Sequence, residues 1–230
     1  QREMYESVRL AMQKKVRDAV ATLGMDKSQI IVLDALLKMR QVCCDPRLVK
    51  GVGETGPIPS SAKLEMLRDM LVEMVEEGRR ILLFSQFTGM LKLIEEELKT
   101  LNIEYVILTG KTKDRETPIK RFQGGDVPLF LISLKAGGVG LNLTAADTVI
   151  HYDPWWNPAA ESQATDRAHR IGQDKSVFVY KLITEGTVEE KILELQARKR
   201  ELAEGLYQKG GVRKQLWTPD DMDALFAPLK

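Results

Sequence analysis

The sequence predicts an α/β fold, a parallel sheet with helices on both faces, flanked by helical N- and C-terminal extensions. Three observations carry this expectation. Short apolar runs at Ile81–Phe84, Tyr105–Leu108, Leu129–Ser133, Val149–Tyr152 and Val177–Ile183 have the length and composition of strands. Helical patterns separate them, and such alternation favours a parallel sheet, because parallel neighbours need a crossover. The chain has 230 residues, enough for one sizeable core with appendages.

The elements follow in order. Residues up to about Val42 read as helical, with Ile30, Leu33, Leu36, Leu37 and Val42 at helical spacing. A Gly/Pro cluster makes Cys43 to Pro59 a loop. Ser60 or Ser61 can cap a helix running through Val75, striped by Leu64, Leu67, Leu71 and Val75. The first strand is followed by a helix around Met90–Leu98. The second is followed by Lys113–Phe122, a partly helical segment that Pro118 starts or kinks. After the fourth strand, Asn157 can cap a helix that Pro158 begins and Gly172 ends in a left-handed turn. Thr187-Val188-Glu189-Glu190 has the capping-box pattern and opens a helix striped by Val188, Ile192, Leu195, Leu202 and Leu206. Thr218 and Pro219 start a last helix whose Met222, Leu225 and Phe226 can dock on the body. The expected divisions are a helical linker or extension at 1–60, a sheet domain at 61–186, and a helical brace with a docking tail at 187–230.

Composition narrows the function classes. The formal charge is +1 with 29% charged residues, so any nucleic-acid contact must come from a local patch. No apolar run could span a bilayer and no signal-peptide pattern is visible at Gln1, so no membrane partner is expected. The only cysteines, Cys43 and Cys44, are adjacent, a spacing that suits neither a disulfide framework nor a zinc site. The only histidines are His151 and His169, and no metal site is expected within the chain. A reducing, intracellular setting follows, cytoplasmic or nuclear.

The most informative stretch runs from Gln163 to Gln173. On a continuous helix, Gln163, Arg167 and Arg170 fall at i, i+4 and i+7 and share an arc of roughly 60°. A glutamine and two guanidiniums aimed one way suit a polyphosphate. A solvated surface helix with an Asp166–Arg170 ion pair satisfies the same spacing. Two other segments mislead. Gly110-Lys111-Thr112 is no P-loop, because Tyr105 stands where the loop's first glycine is required. Gly138-Val139-Gly140 is no dinucleotide fingerprint, because Leu143 occupies the third glycine position.

Ser133 to Leu143, the run Asp153-Pro154-Trp155-Trp156-Asn157-Pro158, and Gln163 to Gln173 together resemble motifs V and VI of the Swi/Snf-type DNA translocases. These are a branch of the superfamily-two helicase-like ATPases. Ile81 to Phe87 resembles their motif IV, and Leu108-Thr109-Gly110-Lys111-Thr112 resembles the block that follows it. The likeness runs from about Ile30 to Leu206. It implies a RecA-like second lobe of an enzyme that hydrolyses ATP while translocating on double-stranded DNA and remodelling protein–DNA complexes. The partners implied are the first RecA-like lobe of the same polypeptide and duplex DNA, with the assembly a monomer.

The resemblance also assigns roles. Arg167 and Arg170 would reach the γ-phosphate across the lobe interface, with Gln163 orienting them or the phosphates. Gly138 and Gly140 would allow close backbone approach to the nucleotide, or else form a tight turn. Asn142 would lie near its sugar, where related helicases often carry aspartate. Ser85, Gln86, Gly110, Thr112, Ser133 and Lys135 would position DNA phosphates. Gly110 and Thr112 could instead serve a turn and a helix cap. Of the two tryptophans one is expected in the core and one against DNA, with Trp155 the DNA-facing one. Two rivals stand beside this reading. An RNA-helicase lobe would share His169-Arg170-Ile171-Gly172 but not Gln173 or Trp155-Trp156-Asn157-Pro158. A non-catalytic module would dock a protein partner only.

These 230 residues contain no P-loop and no Asp-Glu magnesium motif. In the implied enzyme the first lobe supplies both, so ATP with Mg2+ is held mainly there. The purified chain alone should therefore turn over ATP no faster than buffer, with or without duplex DNA. A phosphate-release assay on material free of contaminating ATPase checks this, and turnover at an ordinary enzymatic rate would contradict it.

Overall fold

The computed structural model describes residues 1–50, 57–137, 141–155, 158–168, 176–206 and 218–229. They form two compact units, Gln1–Ser61 with Thr184–Lys230, and Ala62–Ile183.

The first unit begins with a helical hairpin. Helices α1 (Arg2–Leu23) and α2 (Met25–Cys44) pack along each other and reverse at Gly24, whose φ of 78° suits glycine. Asp45 ends α2, and its carboxylate accepts the Arg47 amide at the start of a short 3-10 turn, Pro46–Leu48.

The second unit opens with α3 (Ala62–Glu76), then β1 (Ile81–Ser85), α4 (Thr88–Thr100), β2 (Tyr105–Leu108), α5 (Glu116–Gly124) and β3 (Leu129–Ser133). It continues with the short α6 (Leu134–Gly137), β4 (Thr148–His151), α7 (Pro158–Thr165) and β5 (Phe178–Lys181). Pro118 sits in the first turn of α5, where its missing N–H breaks no helical bond. The five strands form one parallel sheet ordered β2-β3-β1-β4-β5. This is the RecA-like arrangement.

Handedness then decides which helix covers which face. From β1 the chain moves leftward in this order to β2, and every later crossover moves rightward. Right-handed connections place a leftward and a rightward crossover on opposite faces. Accordingly Phe122 of α5, Ala136 of α6 and Ala164 of α7 share one core with Leu82, Phe84, Val106, Phe130, Ile132 and Val149. The alternate residues Ile81, Leu83, Leu129, Leu131 and Ile150 are equally buried on the other face. There α4 packs on β1 and β3 with Met90, Leu91, Ile94 and Leu98 inward. Only β5 has a mostly exposed pattern, as an edge strand.

The chain returns to the first unit with α8 (Val188–Leu206) and α9 (Pro219–Leu225). The capping box expected at Thr187 takes a different form. The Thr187 hydroxyl accepts the Glu189 amide, while the Glu190 carboxylate accepts the amide of Gly186 and not of Thr187. At Thr218 the full box is present, with Asp221 as the reciprocal partner. Val188, Ile192 and Leu195 are buried. The side chains of Leu202 and Leu206 lie outside the described residues. The Tyr5 hydroxyl accepts the Val188 amide at 2.7 Å, and Arg9 donates to the Phe226 carbonyl at 2.8 Å. Tyr5→Phe keeps the ring but removes the acceptor for a buried amide. It should destabilise this unit by about 1–3 kcal/mol, read as a lower urea midpoint with unchanged helix content.

Candidate functional site

In a doubly wound sheet the ligand crevice lies at the carboxyl edge, where neighbouring crossovers leave to opposite faces. Here that point is the end of β1, because its crossover takes one face and those of β3 and β4 take the other. The crevice is filled from within. The Ser85 hydroxyl donates to Asp153 Oδ1 at 2.5 Å, and the Gln86 amide donates to Oδ2 at 3.2 Å. Ser85 and Asp153 are both fully buried. Ser85, expected to meet a DNA phosphate, is thus turned inward and committed to an internal carboxylate. Gln86 is half-buried, with its backbone amide engaged. Ser133 pairs in register with Ser85 and is 2% exposed, so its hydroxyl does not reach the surface either.

Trp155 corrects a second expectation. It is buried, not DNA-facing, at 3% exposure. Its ring meets Phe84 and His151 edge-on, with centroids at 6.1 and 5.8 Å, and Phe84 stacks on His151 at 5.6 Å. An indole beside two rings at the sheet's edge is held by apolar burial and quadrupole geometry. Its neighbour Trp156 lies outside the described residues, as do Asn157 and Gly172.

A second buried carboxylate anchors the same segment from the other side. Glu161, in the first turn of α7, is 4% exposed. It pairs with the Lys181 ammonium at the end of β5 and accepts the Trp155 amide at 3.2 Å. Its own backbone carbonyl accepts the Thr165 hydroxyl, and Thr165 Oγ1 lies 3.0 Å from His151 Nε2. Burial pushes the His151 pKa down to about 4, against the pull of the Glu161 charge and with a smaller push from Lys181.

The expected long helix of the Gln163–Gln173 stretch is shorter. It ends at Thr165, and the Arg167 and Ala168 amides bond back three residues, to Ala164 and Thr165. The α-helical spacing therefore stops before Arg167. Gln163 faces solvent, whereas Arg167 is 7% exposed, so the two do not share one outward face. Arg167 Nε is buried with no hydrogen-bond partner among the described residues. The Arg167 carbonyl accepts the Leu143 amide at 3.1 Å, which ties the chain after α7 to the segment before β4. Arg170, Gly138 and Gly140 lie outside the described residues.

Four candidates do face solvent: Gly110, Lys135, Asn142 and Gln163. At Gly110 an added Cβ would meet nothing within 4 Å, so nothing in the local packing demands a glycine. Thr112 is half-buried and accepts the Thr109 amide at 2.9 Å, which braces the turn. Arg115, next to α5, donates to the Ala136 carbonyl of α6 at 2.6 Å.

Residues 62–172 match the family model described as the helicase conserved C-terminal domain. The chain is 38% identical over 232 residues to the ISWI chromatin-remodeling complex ATPase ISW1 of Saccharomyces cerevisiae, covering 94% of this chain and 20% of that protein. A solved Sulfolobus solfataricus SWI2/SNF2 ATPase core in complex with dsDNA matches with TM-score 0.77 and 33% identity, over 98% of this chain and 48% of that one. The C-terminal domain of the SWI2/SNF2 ATPase from the same organism matches with TM-score 0.74 and 31% identity, over 98% of this chain and 92% of that one. The chain belongs to the SWI2/SNF2 ATPase family. It is the family's C-terminal, RecA-like lobe, and it spans 17 to 20% of the first three curated relatives it matches. Those relatives carry names of ATP-dependent helicases and a chromatin-remodeling ATPase. Among the described residues, no helix is long and apolar enough to cross a membrane.

Sequence reasoning missed the residues that hold this SWI2/SNF2 lobe's edge together: Asp153, Glu161, Lys181 and Arg115. A partial signal existed for Asp153, an acid directly after a buried strand. The neutral His151 has a measurable consequence. Its pKa is depressed from 6.5 to about 4 on folding. Between those values the unfolded chain binds a proton that the folded chain does not. Stability should therefore fall as pH drops through that window, by on the order of 3 kcal/mol in full. The urea midpoint should decline from pH 7 to pH 5 in the wild type, and decline less in His151→Phe.

Proposed function

We propose that this lobe supplies the cationic half of a divided ATPase centre in an enzyme that translocates on double-stranded DNA and remodels protein–DNA complexes. One observation carries the reading. The helix bearing Gln163 starts from the loop leaving β4 at the sheet's carboxyl edge, and the Arg167–Leu143 backbone bond ties the arginine-bearing segment that follows it to the run entering β4. This arrangement stands in a chain that is 33% identical to an ATPase core solved with duplex DNA.

In this reading Arg170 is the arginine finger, and it stabilises charge developing on the transferred phosphoryl group. Arg167, buried within its own lobe, contributes further positive charge to that half of the centre. Gln163, on the exposed side of α7, orients the phosphates. Gly138, Gly140 and Asn142 approach the nucleotide. Guanidinium and amide donors suit phosphate oxygens and not a divalent cation, so Mg2+ would be held by the other lobe. Bound ATP supplies the phosphoryl group; this chain binds, orients and neutralises it.

The DNA contacts rest on the groups that remain free at the edge. Gly110 has open space for a phosphate beside its backbone, and Lys135 is exposed after β3. Gln86 and Thr112 flank them. Ser85, Ser133 and Trp155 are removed from this set by burial. Such contacts read the backbone and not sequence.

In the complete two-lobe enzyme, Arg170→Ala should lower kcat for DNA-stimulated ATP hydrolysis by about 10³-fold or more, with Kd for duplex DNA within about threefold of wild type. Steady-state ATPase and fluorescence anisotropy measure the two quantities. Unchanged turnover removes the catalytic reading. DNA affinity indifferent to salt between 50 and 200 mM removes the phosphate-contact reading.

A further inference from the structure

Glu161 is a buried carboxylate with no place in the catalytic reading above, yet it joins the loop leaving β4 to the helix that precedes the arginine-bearing segment. Oε2 accepts the backbone amide of Trp155, in the loop leaving β4. Oε1 meets the ammonium of Lys181 on β5. The Glu161 main-chain carbonyl accepts the Thr165 hydroxyl, at the last residue of α7 before the turn to Arg167. The loop it holds is fastened on its far side to β1 through Asp153, Ser85 and Gln86. A carboxylate is costly to bury unless it is fully engaged, and cheaper apolar side chains would fill the same space. The Lys181 partner is 44% exposed, so the ion pair alone is a weak reason for its presence.

We propose that Glu161 is a positioning residue: by accepting the Trp155 amide it locks the β4–α7 loop to α7, and so sets the arginine-bearing segment relative to the proposed DNA edge. This rests on the proposed function of the lobe. The decisive interaction is the hydrogen bond to a main-chain amide, not the charge. A loop displaced by about 1 Å can cost up to about a hundredfold in rate when it aims a catalytic group.

The test uses the complete two-lobe enzyme with three variants. Glu161→Gln keeps an oxygen acceptor and loses the charge. Glu161→Leu keeps the volume and loses both. Lys181→Met removes the ion-pair partner alone. Expected for Glu161→Leu is a kcat for DNA-stimulated hydrolysis lowered at least about tenfold, with the half-saturating DNA concentration within about twofold. Glu161→Gln and Lys181→Met should stay within about threefold of wild-type kcat. Near-ultraviolet circular dichroism and a thermal midpoint are recorded for each.

Equal loss in Glu161→Gln and Glu161→Leu overturns the proposal, as does full activity in both. So does a Glu161→Leu enzyme that is unfolded, or that loses DNA affinity in step with kcat, because the residue then serves stability alone. Arg170→Ala, run alongside, separates this from the parent reading. If Arg170→Ala retains turnover, the catalytic assignment of the lobe fails. If it abolishes turnover while the Glu161 variants behave alike, only the positioning role fails.

Discussion

The right-handed crossover is the constraint on which this lobe depends. Five parallel strands cannot be joined by hairpins, so each connection must climb over a face of the sheet, and its direction of travel chooses the face. One leftward step places α4 on one side, and three rightward steps gather α5, α6 and α7 on the other. Every strand then ends at the same edge. The loops that carry Gly110, Lys135 and Trp155 are neighbours because of that arithmetic alone, although they are far apart in sequence.

The same topology leaves an opening at the end of β1, and its contents shape the rest of the edge. Asp153 enters it and takes two donors from the β1 loop. A buried carboxylate with fewer donors would favour an open, hydrated loop. With the β1 end closed, an outside ligand meets the loops beyond the sheet, not a pocket within it. The aromatic triad of Phe84, His151 and Trp155 completes the closure on one side. A neutral imidazole is compatible with that packing, and burial keeps it neutral at ordinary pH.

Much of this was legible in the residues. The strands at Tyr105–Leu108 and Leu129–Ser133 occupy the expected positions, because polar or turn-forming residues bound a short apolar run on each side. The expected motif helix was too long because its period was carried past Thr165. That residue's side chain bonds back to the Glu161 carbonyl, and the following amides tighten to three-residue spacing. Adjacent tryptophans could not be told apart by composition. Trp155 turns inward because β4 ends at His151 and the next residues must carry Asp153 under β1. Ser85 and Ser133 looked like phosphate donors because strand-end serines often are, but the register sets them side by side within the sheet. Glu161 was invisible for a simpler reason. A glutamate in a polar helix reads as solvated, since such side chains are rarely buried without a partner distant in sequence.

These ties bear on where motion can occur. Asp153 joins the β1 loop to the β4 loop, and Glu161 joins the β4 loop to α7 and β5. Leu143 joins the segment before β4 to Arg167, and Arg115 joins the start of α5 to α6. The loops leaving β1, β3 and β4 are therefore linked to their neighbours by backbone or buried side-chain bonds. Shifting one of them alone would strand a buried donor or carboxylate, at a cost of about 1–3 kcal/mol per broken partner. Displacing the edge as one body breaks none of them. Under the function proposed above, the arginine-bearing segment and the proposed DNA-facing loops would therefore move with the lobe as a whole and not one by one.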